Sequence, residues 1–277
     1  MIRLEHQVLK KLGKAGRAAL KLDSSLSEIF HENTKLSPLG SRSYGHHIHR
    51  FLMSPRSLRL TTGPYKTFTL MDQVDLPSLE PAGDVEETIV ARRSCRDFTG
   101  ESITKEELAR LLYFSYGRTA PNGRFRPVAS GGGLYPLELY VVPNNIDGLE
   151  RWVYHYNVET HCLDVVKRKD RWPDLKECVG LQDMKNPDSA AMVLFVTAIF
   201  ERSTVKYLDR GYRLILLEAG GVGHNLGLMV TALGLAGYLV GGFIDNALSD
   251  LLGIDGVDEA PILPIVVGRP IEASKPV

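Results

Sequence analysis

Residues 206–243 decide the fold, and their sequence is KYLDRGYRLILLEAGGVGHNLGLMVTALGLAGYLVGGF. The stretch from about Tyr207 to Leu233, largely apolar from Leu214 onward, predicts one long helix, and Gly234 predicts its C-terminal end. The apolar residues 235–244 then predict a strand that enters a sheet. A long core helix followed at once by a core strand is therefore the centre of the predicted fold.

The same region is also long enough to cross a bilayer. From Leu214 to Ile244 the only charged residue is Glu218, and about 20 apolar residues suffice for a membrane helix. Eight glycines, His224 and Asn225 interrupt this stretch, however. A buried helix, a turn and a buried strand account for that composition better, so we predict no membrane span.

Shorter elements on both sides of this region predict a body of mixed helices and strands. Thr104 and Glu107 match a capping box, which predicts a helix from there to Gly117. Residues 190–200 are uncharged and apolar, which is the pattern of a buried central strand. Further helices are predicted at 85–93 and 248–252, and further strands at 137–142, 152–156, 162–166 and 262–268.

The composition excludes several classes of protein. The chain has 277 residues, of which 33 are basic and 33 acidic, and 44% are apolar. These are ordinary globular values, so a chain that is disordered or fibrous throughout is not expected. Zero net charge argues against nucleic-acid binding driven by bulk electrostatics.

Sites built from cysteine or histidine are not predicted. The three cysteines have no CxxC spacing, so we expect no disulfide framework and a reducing, cytoplasmic location. His46, His47 and His49 form a cluster, but no nearby cysteine or acid completes a ligand set. We therefore predict solvated loop histidines and no metal site.

The N-terminal part differs from the remainder in charge. Residues 1–84 carry 12 basic and 8 acidic side chains, whereas residues 85–277 carry 21 and 25. Residues 2–22 predict a basic amphipathic helix, which could dock to an acidic partner or simply present a solvated face. Residues 23–36 predict a second helix and residues 37–84 an extended arm. We divide the chain into this N-terminal segment, 1–84, and a body, 85–277.

Five motifs predict contacts with a ligand or a reacting group. RRSCR at 92–96 suits a phosphate because the arginine fork donates paired hydrogen bonds, although a solvated charge cluster is the alternative. RPVASGGGLYP at 126–136 lets the backbone approach a flat ligand, although a flexible turn is the alternative. GGF at 241–243 and Arg269 after the last strand suggest further contacts. Lys206-Tyr207 could act as a base and a proton relay, or be a surface lysine beside a core aromatic.

Together these motifs resemble those of the SagB-type dehydrogenases, which belong to the FMN-dependent nitroreductase superfamily. The shared patterns are RRSxR, SGGxLYP, KYxxRGYR, GGF and a terminal VGR, within residues 85–270. FHENTKLS at 30–37 also resembles an upstream motif of the family. The resemblance implies an α+β nitroreductase-like fold with a mixed or antiparallel sheet flanked by helices. It also implies a homodimer joined through long helices, with two FMN sites at the interface.

The resemblance further assigns roles to individual residues. It implies that the phosphate and ribityl chain of FMN contact Arg92, Arg93, Ser94, Arg96 and Arg269. It implies that the isoalloxazine ring packs against Ser130, Gly131, Gly132 and Leu134, and that its N5 and O4 atoms lie near the backbone amides of Gly241 and Gly242. Lys206 and Tyr207 match the catalytic pair of the family.

The leading hypothesis that follows is FMN-dependent oxidation of thiazoline or oxazoline rings in a ribosomally made peptide. Lys206, supported by Tyr207, would remove the Cα proton, and the adjacent ring carbon would lose a hydride to the flavin. The ring would thereby become a thiazole or oxazole. A cyclodehydratase that forms such rings from Cys, Ser or Thr is an expected partner, and the basic residues 1–84 could be a docking surface.

Two other functions stay open at this point. One is an NAD(P)H-dependent reductase of nitro groups, quinones or activated alkenes, including dehydroamino acids. The other is a flavin- or peptide-binding subunit without turnover of its own. The pair Lys206-Tyr207 favours ring oxidation, because a reductase needs no Cα base and a non-catalytic subunit needs neither residue.

One segment departs from the family pattern. GGVGHN at 220–225 stands where the family usually has GHxxQN. Each additional glycine costs a helix ~1 kcal/mol relative to alanine, and close contact with a helix or with the flavin would explain it. His224 is interpreted either as a polar contact to flavin or dimer partner, or as an interior histidine.

Overall fold

The protein forms an antiparallel sheet with helices packed on both faces. A computed structural model describes residues 25–55, 66, 74–120, 125–181 and 184–271. Its helices are α1 Leu26–Thr34, α2 Pro38–Leu52, α3 Asp84–Ala91, α4 Lys105–Tyr116, α5 Trp172–Cys178, α6 Glu201–Tyr207, α7 Asp209–Ala232 and α8 Asp245–Leu252. Its strands are β1 Leu137–Pro143, β2 Val153–Asn157, β3 Cys162–Lys167, β4 Met192–Ile199, β5 Ala236–Leu239 and β6 Glu259–Gly268.

The strands of this sheet follow the order β3-β2-β1-β4-β6-β5, and each neighbouring pair is antiparallel. β4 is central and pairs with β6 along its whole length and with β1 as far as Ala198. Seven of its eight residues, all except Ile199, are buried, as the uncharged run 190–200 predicted. The predicted α+β fold class with an antiparallel sheet is confirmed.

Each face of the sheet carries its own apolar core. Successive strand residues point to opposite faces, so Leu194 packs beneath α4 and α7 while Phe195 packs beneath α5 and α8. Trp172 of α5 and Leu248 of α8 are buried in the second core. Each such side chain contributes ~1.5–3 kcal/mol by leaving water, which holds α5 and α8 against the sheet.

Glycines allow α7 to lie close to its neighbours. A Cβ on Gly221 would come within 2.8 Å of a methyl of Val128, and one on Gly223 within 2.7 Å of a methyl of Leu263. Side chains at these positions would push α7 away from the body. Close packing therefore explains the glycine-rich segment that departs from the family pattern.

The remainder of α7 confirms some expectations and corrects one. The helix ends at Ala232, with Gly234 at φ 66°, as predicted. In the described part of the chain, α7 is the one helix with the length and hydropathy of a membrane span. Its contacts with α4 and with β1, β4, β5 and β6 account for that composition. His224 is exposed, so the interior interpretation of this histidine is wrong.

The prediction of an extended arm over residues 37–84 is wrong for its first part, because Pro38–Leu52 forms α2. The Ser37 hydroxyl accepts a hydrogen bond from Gly40 N at 3.0 Å and caps the helix. Pro38 occupies the first turn, where its missing N–H costs nothing. α1 confirms the helix predicted within 23–36, and the helix predicted at 2–22 lies outside the described residues.

The histidine cluster is also placed differently from its prediction. His46, His47 and His49 lie on α2 rather than in a loop, and all three are exposed. Within the described ranges, no group of three or more His, Cys, Asp or Glu side chains is arranged to hold a metal ion.

Two boundaries near the predicted site differ from expectation. The long helix was predicted to begin at Tyr207, but Leu208 adopts φ 49° and ψ −142° and separates α6 from α7. The predicted strand 235–244 is shorter and ends at Leu239. Consequently Lys206-Tyr207 ends the short helix α6, and Gly241-Gly242 lies in a loop beyond β5.

Candidate functional site

The three consecutive glycines form a compact turn with a left-handed backbone. Gly132 and Gly133 have φ angles of 69° and 66°, which cost glycine little but other residues more. Tyr135 also has a positive φ, of 47°, and its backbone N–H donates to Ser130 Oγ at 2.9 Å. The loop Ser130–Tyr135 is therefore held in one shape, and the flexible-turn alternative does not describe it.

The glycine loop lies directly against Lys206 and Tyr207. A Cβ built on Gly132 would be 2.5 Å from Tyr207 Oη and 2.7 Å from Lys206 Nζ. Lys206 Nζ in turn lies 5.0 Å from the centroid of the Tyr207 ring. Lys206 is exposed and Tyr207 is half-buried. Two motifs that are about 75 residues apart in the sequence thus meet at one point, and a side chain at position 132 would require Lys206 and Tyr207 to shift.

A buried carboxylate supports the loop from beneath. Glu218 of α7 is only 3% exposed and accepts a hydrogen bond from the Tyr116 hydroxyl at 2.6 Å. Burial raises the pKa of Glu218, while hydrogen bonds from Ser130 and Tyr116 lower it. Sequence reasoning missed this role, although a lone acid in a long apolar run was the available signal.

A polar cavity of about 390 Å³ adjoins the loop. Leu134 and Tyr135 line it together with charged side chains, including Arg126 and Arg202. The Arg126 guanidinium lies between two tyrosine rings, 4.4 Å from the centroid of Tyr116 and 4.7 Å from that of Tyr135. Sequence reasoning did not identify this cavity, because its residues come from separate strands and loops.

A carboxylate in the cavity wall is held by a histidine and an arginine. Glu138 lies 2.8 Å from His155 Nε2 and 2.5 Å from Arg202 Nη1. Although burial favours its neutral form, hydrogen bonds from His155 and Arg202 lower the pKa of Glu138. The carboxylate is therefore already satisfied within the protein.

Two of the predicted phosphate ligands have free guanidiniums. The Arg92 side chain passes Gly227 of α7, at 3.5 Å from the position of a Cβ there. Arg96 lies over the Tyr238 ring at 4.8 Å. Within the described ranges, neither guanidinium forms a hydrogen bond or ion pair with a protein group. Both can therefore donate to an anion.

The other predicted anion ligands differ in whether they already make hydrogen bonds to protein groups. Arg93 donates to Val90 O and Arg92 O, and so caps the C-terminal end of α3. Ser94 is exposed. Arg269 donates to Ser102 O at 2.8 Å and to the Glu107 carboxylate at 2.9 Å.

Backbone contacts join these two arginine segments. Phe98 and Pro270 form an antiparallel bridge, and Thr99 N donates to Arg269 O at 2.9 Å. Gly241 and Gly242 lie in the loop beyond β5, where Gly242 O accepts from Gly180 N at 3.0 Å. The positions where their Cβ atoms would be are open.

The comparison with protein families gives one match that covers well over half of the chain. The model of the nitroreductase family matches residues 89–269. The chain belongs to the nitroreductase family. Every residue of the candidate site lies within the matched range, whereas α1 and α2 lie outside it. The protein is therefore a nitroreductase-family oxidoreductase, as the resemblance in its motifs implied.

Three relatives in sequence extend this result. The chain is 36% identical over 200 residues to MJ1384 of Methanocaldococcus jannaschii, named provisionally as a nitroreductase, covering 72% of this chain and 98% of the relative. It is 27% identical over 161 residues to the microcin B17-processing protein McbC of Escherichia coli, covering 56% of this chain and 58% of McbC. It is 30% identical over 147 residues to the trifolitoxin-processing protein TfxB of Rhizobium leguminosarum, covering 52% of this chain and 39% of TfxB.

Solved structures confirm the nitroreductase fold. The E. coli microcin synthetase McbBCD complex, solved with truncated pro-MccB17 bound, contains a chain that matches at a TM-score of 0.66 and 20% identity, covering 91% of this chain and all of that one. A nitroreductase-like protein of Anabaena variabilis matches at a TM-score of 0.59 and 30% identity, covering 68% of this chain and 38% of that one.

Proposed function

We propose that this nitroreductase-family protein is an FMN-dependent dehydrogenase that oxidises thiazoline or oxazoline rings in a ribosomally made peptide. The observation that carries the proposal is that Lys206 Nζ and Tyr207 Oη both lie within 2.7 Å of the position that a Cβ on Gly132 would occupy. It puts a candidate base and a hydroxyl beside the loop expected to face the flavin. Neither group is needed for simple electron transfer to a nitro group.

The residues present fit FMN. The Arg92 and Arg96 guanidiniums are free to donate to its phosphate, with Arg93, Ser94 and Arg269 nearby in sequence or by backbone pairing. Within the turn Gly131–Gly133, the Cβ position of Gly133 is open, which leaves room there for a flat ring to approach the backbone. Leu134 and Ser130 flank that turn, and the open positions at Gly241 and Gly242 leave room for close approach. When bound, FMN supplies a two-electron acceptor that dioxygen can re-oxidise.

The protein's own contribution is to position the ring and to remove a proton. Lys206, as the base, takes the Cα proton of the azoline, and the Tyr207 hydroxyl orients the ring by hydrogen bonding. Loss of that proton and of a hydride from the adjacent carbon leaves an aromatic azole. Positioned acid–base groups of this kind contribute about 10²–10⁴-fold to a rate.

The relatives support a peptide substrate and a partner. McbC and TfxB are named for processing peptides, and the McbBCD complex holds a pro-peptide. We therefore propose a cyclodehydratase partner and a cytoplasmic location, with residues 1–84 as a docking segment beside the flavin-binding body 85–277. Exposed apolar side chains on adjacent helices, Leu217 of α7 with Ile89 and Val90 of α3, support a homodimer.

Substitution of the two central residues tests the proposal. Lys206→Ala should lower kcat for ring oxidation about 10²–10⁴-fold, and Tyr207→Phe by less, because each removes a proton-handling group. Both variants should keep the yellow flavin. Lys169→Ala, which removes an exposed lysine before α5, is the control. Full activity of Lys206→Ala would rule out the proposed base.

The similarity to MJ1384 favours a second candidate, an NAD(P)H-dependent reductase. Such an enzyme oxidises NAD(P)H in the presence of a nitro compound, a quinone or a dehydroamino-acid peptide. Its rate should not depend on Lys206, because no Cα proton is removed. Parallel assays of NAD(P)H oxidation and of azoline oxidation with wild type and Lys206→Ala therefore separate the two functions.

A further inference from the structure

Helix α1 lies outside the range matched to the nitroreductase family, yet it packs on the end of the site. The Ser27 backbone N–H and hydroxyl both donate to Asp209 Oδ1, at 3.0 Å and 2.8 Å. Asp209 is the first residue of α7 and follows Leu208, next to the pair Lys206-Tyr207. The contact therefore reaches a point two residues from the proposed hydroxyl and three from the proposed base.

The backbone at this point needs support. Leu208 has φ 49°, a conformation that costs a non-glycine residue and persists only where its surroundings impose it. Local bonds hold it in part, because Leu208 N donates to Thr204 O and Gly211 N donates to Leu208 O, both at 2.8 Å. A Cβ on Gly211 would lie 2.9 Å from the Ser203 backbone, so α6 and α7 are in close contact at this corner.

Asp209 connects two helices at this corner. Its carboxylate lies at the N-terminal turn of α7 and also accepts hydrogen bonds from the N-terminal turn of α1, which begins after the cap residue Ser25. Negative charge is favourable at both positions because each helix presents free N–H groups there. The hydrogen bonds from Ser27 lower the pKa of Asp209, so the carboxylate stays charged over the ordinary range of pH.

Helix α1 also holds the other end of α6. The buried His31 ring packs edge-on against Phe200, the cap residue of α6, with centroids 4.9 Å apart. His31 Nδ1 lies 3.2 Å from the Tyr212 hydroxyl, and the Phe200 and Tyr212 rings stack at 5.8 Å. Beyond α1, Leu36 N donates to the Asp245 carboxylate at 2.8 Å, which fixes the helix to α8.

We propose that Asp209 is a positioning residue that transmits the placement of α1 to Lys206 and Tyr207. Because α1 contacts Phe200 just before the short helix α6 and Asp209 just after it, α1 sets where the last turn of α6 points. The proposal rests on the proposed function in one respect, since Lys206 and Tyr207 are taken as the reacting groups. The geometry makes α1 part of the site and not a separate peripheral segment.

The test uses the full-length FMN-loaded protein with substitutions at both partners. Asp209→Ala should lower kcat for azoline oxidation about 10- to 100-fold with little change in KM, because small displacements of reacting groups have large effects on rate. Ser27→Ala removes one of two hydrogen bonds and should lower kcat less. Ser27→Thr keeps the hydroxyl and should restore wild-type kcat.

Hydrogen exchange and a matched control separate positioning from general stabilisation. Amide exchange in residues 204–211 should be faster in Asp209→Ala, with flavin content unchanged. Glu201 is an acid in the first turn of α6, as Asp209 is in the first turn of α7. In the described part of the chain, however, Glu201 accepts no hydrogen bond from α1. Glu201→Gln should therefore behave as wild type in both measurements.

Three outcomes decide the matter. Slower turnover together with faster exchange in Asp209→Ala supports the positioning role. A lower melting temperature with unchanged kcat and unchanged exchange overturns it, because α1 would then only stabilise the fold. If the wild-type protein oxidises no azoline, the proposed function fails on its own. Exchange at 204–211 then still decides whether α1 positions this corner: faster exchange in Asp209→Ala supports it and unchanged exchange overturns it.

Discussion

The buried pair Tyr116–Glu218 offers the sharpest test of how the glycine loop is supported. Tyr116 is fully buried and donates to Glu218 Oε1 at 2.6 Å. Tyr116→Phe removes a single hydroxyl and keeps the packed ring. Glu218 then retains the hydrogen bond from Ser130 but loses its other hydroxyl donor.

The expected loss follows from the chemistry of this one bond. A hydrogen bond to a charged group contributes ~1.5–3 kcal/mol, and a buried acceptor left without its donor costs a similar amount. We therefore expect Tyr116→Phe to lower the free energy of unfolding by about 2 kcal/mol at pH 8. In a chain of this size that corresponds to a fall of roughly 4–8 °C in Tm.

The loss should depend on pH in a defined direction. Burial raises the folded-state pKa of Glu218 above its unfolded value, so the charged carboxylate costs stability at high pH, and protonation relieves that cost as pH falls. The Tyr116 hydroxyl opposes this shift, so removing it raises the pKa further. The difference in unfolding free energy between wild type and Tyr116→Phe should therefore be largest near pH 8. It should shrink as the pH falls through the raised folded-state pKa values of Glu218 toward its pKa in the unfolded chain.

Urea unfolding of the FMN-loaded protein at pH 8 and at mildly acidic pH, at fixed protein concentration, measures both effects. Tyr156→Phe is the matched control, because this buried hydroxyl lies 2.8 Å from His161 Nδ1 rather than from a carboxylate. It should cost about 1 kcal/mol, typical of a neutral hydrogen bond. A loss below about 0.5 kcal/mol in Tyr116→Phe, or a loss that grows toward acid pH, would refute the reasoning.

Two further predictions concern the anion site and the sheet. Replacing Arg92 and Arg96 together by alanine should raise the Kd for FMN about 100-fold or more, because each charge-assisted hydrogen bond contributes ~1.5–3 kcal/mol. Fluorescence titration measures this Kd. A value within about threefold of wild type would contradict the assignment of these arginines to the phosphate. His155, whose pKa is raised chiefly by its hydrogen bond to Glu138 and also by Asp164, should stabilise the fold fully below its ordinary pKa of about 6.5 and lose that contribution as pH rises through the folded-state value. His155→Gln should then flatten the difference in unfolding free energy between pH 6 and pH 9, and an unchanged pH dependence would argue against this pair.

Elements with strong local signals could be predicted from the sequence. The capping box at Thr104 and Glu107 forms as expected, with Glu107 N donating to Thr104 Oγ1 at 3.1 Å and Thr104 N to the Glu107 carboxylate at 2.8 Å. The uncharged run that became β4 and the Gly234 stop are equally local. In each case a few neighbouring residues determine the structure, so no distant contact was needed.

The failures occurred where distant residues decide the backbone. Nothing within KYLDRGYR indicates that Leu208 takes a positive φ, because that conformation occurs where α6 and α7 approach closely at Gly211. α2 was mistaken for an extended arm because Pro38 and the following glycines suggest a loop, while Pro at the first turn of a helix is also favourable. The role of Glu218 depends on Tyr116 and Ser130, about 100 and 90 residues away.

Two supports of the site meet at Gly132. On one side, Glu218 accepts a hydrogen bond from Ser130, which begins the glycine loop. On the other side, Ser27 of α1 donates to Asp209, which lies two residues after Tyr207. Because a Cβ at Gly132 would collide with Tyr207 Oη at 2.5 Å, a shift of either support changes the distance between loop and hydroxyl. The first support lies within the range matched to the nitroreductase family, whereas α1 lies outside it. Under the positioning role proposed for Asp209, α1 therefore acts on the distance between the glycine loop and Tyr207 from outside the range matched to the family.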